Sequence, residues 1–201
     1  MRTLSICLLV ALFTAPAIAQ QFTALKPGAK VPLADVKMKA VDGKEFSIKD
    51  AMGKNGVLVM FSCNTCPVVK KYQGRTLQAI RTAEENGIGV LIVNANEANR
   101  NSDDSFEAMK QYAKAQGYQN APYVVDTKSA LANAFGATRT PECFLFNAKQ
   151  ELVYHGAIDD NQEAADAQRN HLAIAMTEVK SGRDVAVKQT RSVGCGIKRA
   201  E

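Results

Sequence analysis

The chain of 201 residues has no tryptophan, only two histidines and five cysteines, and aromatic residues make up 6% of it. Five cysteines over this length are too few for a small scaffold stapled by many disulfides. Past the N-terminus, no apolar stretch approaches the ~20 residues that a membrane-spanning helix needs. There is no long basic block: the net charge is +5, with Lys and Arg dispersed, which argues against a nucleic-acid partner. Internal repeats and low-complexity segments are also missing. What is present, 46% hydrophobic and 22% charged residues, is the composition of a folded globular chain of about one domain.

The first residues read as a leader. Arg2 supplies a positive start, Leu4 to Phe13 is a short apolar run, and Ala17-Ile18-Ala19 is a small-x-small cleavage signal before polar Gln20-Gln21. This three-part pattern is that of a secretory signal peptide. Residues 1–19 are therefore expected to be removed and the protein exported, periplasmic or secreted, with no stable membrane anchor. Cys7 lies inside the apolar run and not at the cleavage point, which speaks against a lipoprotein. A folded unit is expected over residues 20–182, followed by a polar, basic, flexible-looking tail over 183–201. The cysteines that remain are Cys63, Cys66, Cys143 and Cys195. In an oxidising compartment they are candidates for disulfides, but counting alone does not choose a pairing.

Along the chain, Val36, Met38 and Ala40 alternate with polar residues, Asp42-Gly43 makes a turn, and Phe46 and Ile48 alternate again, a hairpin signal. Val57 to Phe61 is a continuous apolar run and reads as a buried strand. It leads straight into Cys63-Asn64-Thr65-Cys66-Pro67 and then into helical spacing up to Asn86-Gly87. Ile88 to Val93 is a second buried strand, so strand, helix and strand predict a parallel crossover. Phe106, Met109 and Ala113 mark an amphipathic helix, Tyr123 to Val125 a short strand, and Leu131 to Phe135 a short helix closed by Gly136. Proline introduces the strand Cys143 to Phe146, and Leu152 to Tyr154 pairs with it as a hairpin. Asp160-x-x-Glu163 has the form of a capping box, predicting a helix from there to about Lys180.

The Cys63/Cys66 pair at a strand-to-helix junction has a chemical rationale. Free amides and the positive end of the helix dipole favour thiolate over thiol. A thiol of pKa ~8.5 is only about 3% ionised at neutral pH, whereas one near 7 is about half ionised. The spacing lets the second sulfur attack the first and expel a mixed-disulfide partner. Cys63 is the expected attacker and Cys66 the resolver, and Pro67 suits the first helical turn. Alternatives stay open. The pair can be a structural disulfide, although so small a loop gives little stabilisation. Cys63, Cys66, Cys143 and Cys195 can make a thiolate zinc site, although no second Cys-x-x-Cys supports it. Pro67 stands where a haem-binding motif would need histidine. A cis bond at Thr140-Pro141 beside the pair would expose backbone for an extended partner.

These segments, FSCNTCPVVKKY, DDSFEAMKQYAK, FGATRTPECFLFN and YHGAIDD, resemble the peroxiredoxin-like redoxin branch of the thioredoxin superfamily, the alkyl hydroperoxide reductase/thiol-specific antioxidant group. The resemblance spans about residues 25–180. It implies an α/β thioredoxin fold, a central mixed β-sheet flanked by helices, with an N-terminal β-hairpin and an inserted helix. It also implies thiol chemistry, with protein dithiol or disulfide partners or small thiol or peroxide substrates, and no cofactor beyond the cysteine pair. Two departures matter. Peroxiredoxins carry Pro-x-x-x-Thr/Ser-x-x-Cys; aligned on Cys66, Val59 stands at the Pro and Cys63 at the Thr/Ser. The Trp-Cys-Gly-Pro-Cys of thioredoxins is absent, as is a buried acid in the strand before the pair. The reading is an exported thiol–disulfide oxidoreductase with Cys63, Cys66, Pro141 and Glu142 at its site, Glu142 serving proton transfer unless it is a solvated loop charge. Cys143 is either an inert core thiol or an auxiliary redox group. Cys195 can resolve a mixed disulfide or pair with Cys143, and Arg139 is read as a surface arginine. A thiol peroxidase and a copper-handling chaperone using His155 or His171 are the alternatives.

Overall fold

In the computed structural model, which describes residues 22–200, the expected mixed sheet forms; the leader cleavage site lies outside the described residues. The hairpin is β1 (Met38–Lys39) and β2 (Glu45–Phe46), paired antiparallel. The central strand β3 (Gly56–Ser62) is buried at every position. Its continuous apolar run is explained by cover on both faces. Leu58 and Met60 join a core with Ile80, Met109, Leu172 and Met176, while Val57, Val59 and Phe61 join another with Leu131, Phe135, Phe144 and Phe146.

Parallel to β3 runs β4 (Ile88–Asn94), and β5 (Tyr123–Val125) lies parallel beside β4. The β3–β4 crossover carries α1 (Pro67–Lys71) and α2 (Gln73–Glu85), one expected helix broken at Tyr72, whose ψ is 1°. Between β4 and β5 sits the inserted α3 (Phe106–Gln116), which ends at left-handed Gly117. After β5 comes α4 (Ala130–Phe135), capped by Gly136 at φ 63°, where a Cβ would lie 2.1 Å from the Thr23 carbonyl oxygen. Glycine alone meets both demands there.

The short β6 (Arg139–Thr140) leads to β7 (Glu142–Asn147), antiparallel to β3, and then to β8 (Leu152–Gly156), antiparallel to β7. The sheet order is β5-β4-β3-β7-β8. The C-terminal helix differs from expectation: α5 is only His171–Lys180, capped by Asn170, whose side chain accepts from the Ala173 amide at 2.9 Å. Asp160 does not cap a helix at the predicted position. Its Oδ1 accepts from the amides of Gln168 and Arg169 at 3.0 and 3.1 Å and closes a loop instead. A side chain satisfied by backbone eight residues on is unavailable to the turn beside it.

The segment after Gly182 is also not a loose tail. Val185 is buried in the core with α5. The Lys188 carbonyl accepts from the His155 amide, and the Thr190 amide donates to the His155 carbonyl, each at 3.0 Å. The chain then forms β9 (Cys195–Gly196), antiparallel to β6. Among the described residues, no helix is long and apolar enough to cross a membrane.

Candidate active site

The site lies past the C-terminal ends of the parallel strands β3 and β4, the usual functional edge of such sheets. Ser62 ends β3, Cys63 to Thr65 form a turn, and Cys66 is the N-cap of α1 with Pro67 as its first helical residue. Proline costs nothing there because its missing N–H has no helical acceptor. Both cysteines are reduced and buried, 1% and 2% exposed. Both sulfurs meet Thr140: Cys63 Sγ lies 3.4 Å from the hydroxyl, and the Cys66 thiol donates to the carbonyl at 3.3 Å. The Thr140–Pro141 peptide bond is cis.

Access does not single out Cys63 as the attacker, because both thiols are equally covered, and the electrostatics of the pair lean toward Cys66. Cys66 is pulled below the ordinary thiol range, chiefly by the Cys63 thiol beside it, and further by the Cys195 thiol and the Val69 and Cys195 amides, against the opposing effect of burial. Cys63 is pushed up, because it lends its proton to Cys66 and because it is buried. The two directions belong to one coupled pair: a thiolate on one cysteine is held by the proton that stays on the other. Neither thiol is more accessible than the other.

A polar network that sequence reasoning missed fixes the turn between the cysteines. Asp104 is fully buried. Its Oδ1 accepts from the Asn64 amide at 2.9 Å and from the Asn94 side chain at 2.8 Å, and its Oδ2 accepts from the Asn96 side chain at 3.0 Å. Tyr123 donates to Asn64 Oδ1 at 2.9 Å, and the Asn64 side chain donates to the Asp103 carbonyl at 2.8 Å. The available signal was the run Asn94-x-Asn96 at the carboxyl end of a buried strand. Polar groups persist at such a place only when their hydrogen bonds are satisfied.

Glu142 is buried, which corrects the picture of a solvated loop charge. One carboxylate oxygen accepts from the amides of Thr138 and Arg139, both at 2.8 Å, and the other lies 2.7 Å from His155 Nε2. Glu142 thus holds the backbone that carries Thr140; no hydrogen bond joins it to either sulfur. His155 is occupied by this contact and stacks on Phe144 at 4.2 Å, and His171 opens α5. Among the described residues, no group of three His, Cys, Asp or Glu side chains is placed to hold a metal ion. Cys143 is fully buried in the core beside α2 and α5, and burial pushes its thiol up. It is not brought to the pair, and it does not meet Cys195. Cys195 packs instead against Cys63, Cys66 and Val69. Arg139 is exposed and donates to the Gly194 carbonyl at 3.2 Å.

No curated protein matches the chain. Among solved structures, it is similar to an uncharacterized conserved protein from Geobacillus kaustophilus, at 29% identity and a TM-score of 0.80, over 87% of this chain and 93% of that one. A hypothetical protein from Sinorhizobium meliloti 1021 is also 29% identical, with a TM-score of 0.79, over 89% and 97% of the two chains. The peroxidoxin BcpB of Mycobacterium tuberculosis shares the fold at 14% identity, with a TM-score of 0.59, over 79% and 99%. The Redoxin family model matches residues 26–170. With a reduced cysteine pair at the head of the crossover helix and a thioredoxin-type sheet behind it, the chain belongs to the Redoxin family, thioredoxin-fold redox proteins of the thiol–disulfide oxidoreductase or peroxidase kind.

Proposed function

We propose that the protein is an exported thiol–disulfide oxidoreductase that cycles Cys63 and Cys66 between dithiol and disulfide, with no cofactor beyond the pair. The observation that carries this reading is the pair itself: two buried thiols at the head of α1, both meeting Thr140. The Cys66 thiolate attacks one sulfur of a partner disulfide, and the other sulfur leaves as thiolate and takes a proton. Cys63 then attacks Cys66 Sγ, expelling the second partner thiol and closing the Cys63–Cys66 disulfide. The partner gains the electron pair that the two cysteines lose, and a dithiol partner reverses the sequence. The leader pattern over residues 1–19 supports export, which cell fractionation tests.

The bias toward Cys66 also favours a second reading, a thiol peroxidase, because Cys66 is the cysteine that aligns with the peroxide-attacking one. Against it stands Cys63 in place of the Thr/Ser hydroxyl, a thiol being the weaker donor and acceptor. Losing one transition-state hydrogen bond of this kind costs ~10²–10³ in rate, whereas disulfide exchange releases a thiolate and needs no such donor. Stopped-flow mixing of the reduced protein with a model protein disulfide and with hydrogen peroxide separates the two. The disulfide should react faster and leave a Cys63–Cys66 linkage detectable by peptide mass mapping. Peroxide reacting orders of magnitude faster would establish the peroxidase.

A further inference from the structure

The segment after Thr190 lies across the reactive pair, and its placement is specific. In the β6–β9 ladder Cys195 is directly opposite Thr140, the residue both active-site sulfurs touch. An extended strand with a cysteine at this register has the form of a disulfide-bearing partner seated by β-pairing. We infer that Cys195 is a third redox cysteine, a resident resolving thiol that forms a Cys66–Cys195 disulfide in alternation with Cys63–Cys66; this rests on the dithiol-exchange reading above.

The strand is held from both sides. Thr190 is anchored to the His155 carbonyl. Beyond Cys195, Ile197 is buried and its amide donates to the Thr138 carbonyl at 3.0 Å. The Lys198 amide donates to Asn96 Oδ1 at 2.9 Å, and the Arg199 guanidinium donates to Asn133 Oδ1 and the Ala137 carbonyl at 2.8 and 2.6 Å. Gly194 permits the close approach: a Cβ there would stand 2.0 Å from the Thr140 carbonyl oxygen. Cys195 is half-buried while Cys63 and Cys66 are covered, so of the three clustered thiols it is the one nearest solvent.

The chemistry balances with a disulfide of class RS–SR′ as oxidant. Cys66 thiolate attacks it, R′S⁻ leaves and takes a proton, and Cys66–S–SR remains. Cys195, losing its proton, attacks Cys66 Sγ and expels RS⁻, which is protonated in turn. The S–S bond to R breaks, the Cys66–Cys195 bond forms, and two protein thiols have supplied the two electrons. Attack of Cys63 on Cys66 Sγ then releases Cys195 as thiol and leaves Cys63–Cys66. A tethered thiol acts at an effective concentration of order mM, far above a partner at micromolar concentration, so resolution by Cys195 outpaces exchange with solution thiols.

The test uses the full chain and a model protein disulfide. Cys63→Ser removes the usual resolver, so the mixed disulfide at Cys66 should be short-lived and should yield a Cys66–Cys195 peptide in mass mapping. In Cys63→Ser/Cys195→Ser the mixed disulfide should persist ~10²-fold longer, a conservative share of the millimolar-to-micromolar advantage. Gly194→Ala in the Cys63→Ser background keeps Cys195 but displaces the strand, and should also lengthen that lifetime. Equal lifetimes with and without Cys195, or no Cys66–Cys195 peptide, overturn the inference while wild-type exchange leaves the dithiol reading standing. A wild-type protein that exchanges no disulfide overturns both.

Discussion

At Cys66 two influences oppose each other. Burial disfavours a thiolate, while the Cys63 and Cys195 thiols and two backbone amides supply protons toward it, and these win. The sign for reactivity follows. A group whose pKa is lowered keeps its thiolate as pH falls through the range where an ordinary thiol, with pKa ~8.5, loses about tenfold per unit. Alkylation of the reduced protein with a small reagent should therefore modify Cys66 before Cys63, and its rate should stay nearly level from about pH 8 down to about pH 6. Cys63, whose pKa is raised, should stay protonated and unreactive across the same range. Labelling of Cys63 first, or a tenfold loss per unit at Cys66, would restore the original assignment. The Cys-x-x-Cys spacing leaves open which residue stands at the N-cap; Pro67 as first helical residue puts Cys66 there, without a capping hydrogen bond from its side chain. Cys143 was legible as a core thiol because it lies inside an apolar strand. Thr140 was legible only as the residue before a proline, since nothing local says that both sulfurs will meet it.

At the scale of elements, β3, β4 and the two hairpins could be read because each carries its burial pattern in consecutive residues. The start of α5 could not. Asp160-x-x-Glu163 has the residue types of a capping box, but Asp160 is taken by the amides of Gln168 and Arg169, and Glu163 pairs with Lys71 at the surface. Asn170 does the capping. Replacing an N-cap of this kind by alanine costs about 1 kcal/mol, whereas an exposed ion pair is worth ~0–1 kcal/mol. Urea denaturation should show Asn170→Ala destabilised by about 1 kcal/mol and Glu163→Ala by no more than about half that. A larger effect at Glu163 would reinstate the earlier helix start. The Asp104 network escaped notice for a related reason. Its members come from the ends of β3, β4 and β5 and the approach to α3, and only the folded sheet brings them together.

At the scale of the molecule, the stretch after Gly182 separates into two parts that composition alone does not distinguish. Residues 183–190 extend the body. Val185 is buried, the backbone of Lys188 and Thr190 bonds His155 on β8, and the Thr190 hydroxyl meets the Tyr154 hydroxyl at 2.7 Å and the Ala157 amide at 3.0 Å. Residues 191–199 cross the active site and contribute one buried apolar anchor, Ile197. Truncation after Thr190 should therefore remove the ~1.5–3 kcal/mol of one buried aliphatic side chain together with the hydrogen bonds that Ile197, Lys198 and Arg199 make to the body, and should speed Cys66 alkylation by uncovering it. Truncation after Gly182 gives up a second such side chain and removes the bonds that Lys188 and Thr190 make to His155, Tyr154 and Ala157, each lost hydrogen bond costing ~0.5–1.5 kcal/mol. Against a total stability of ~5–15 kcal/mol, the longer truncation should shift the urea midpoint markedly further than the shorter one. Equal midpoints for the two truncations would mean that residues 183–190 are dispensable to the fold. An alkylation rate unchanged by the shorter truncation would mean that the final strand does not cover the pair in solution.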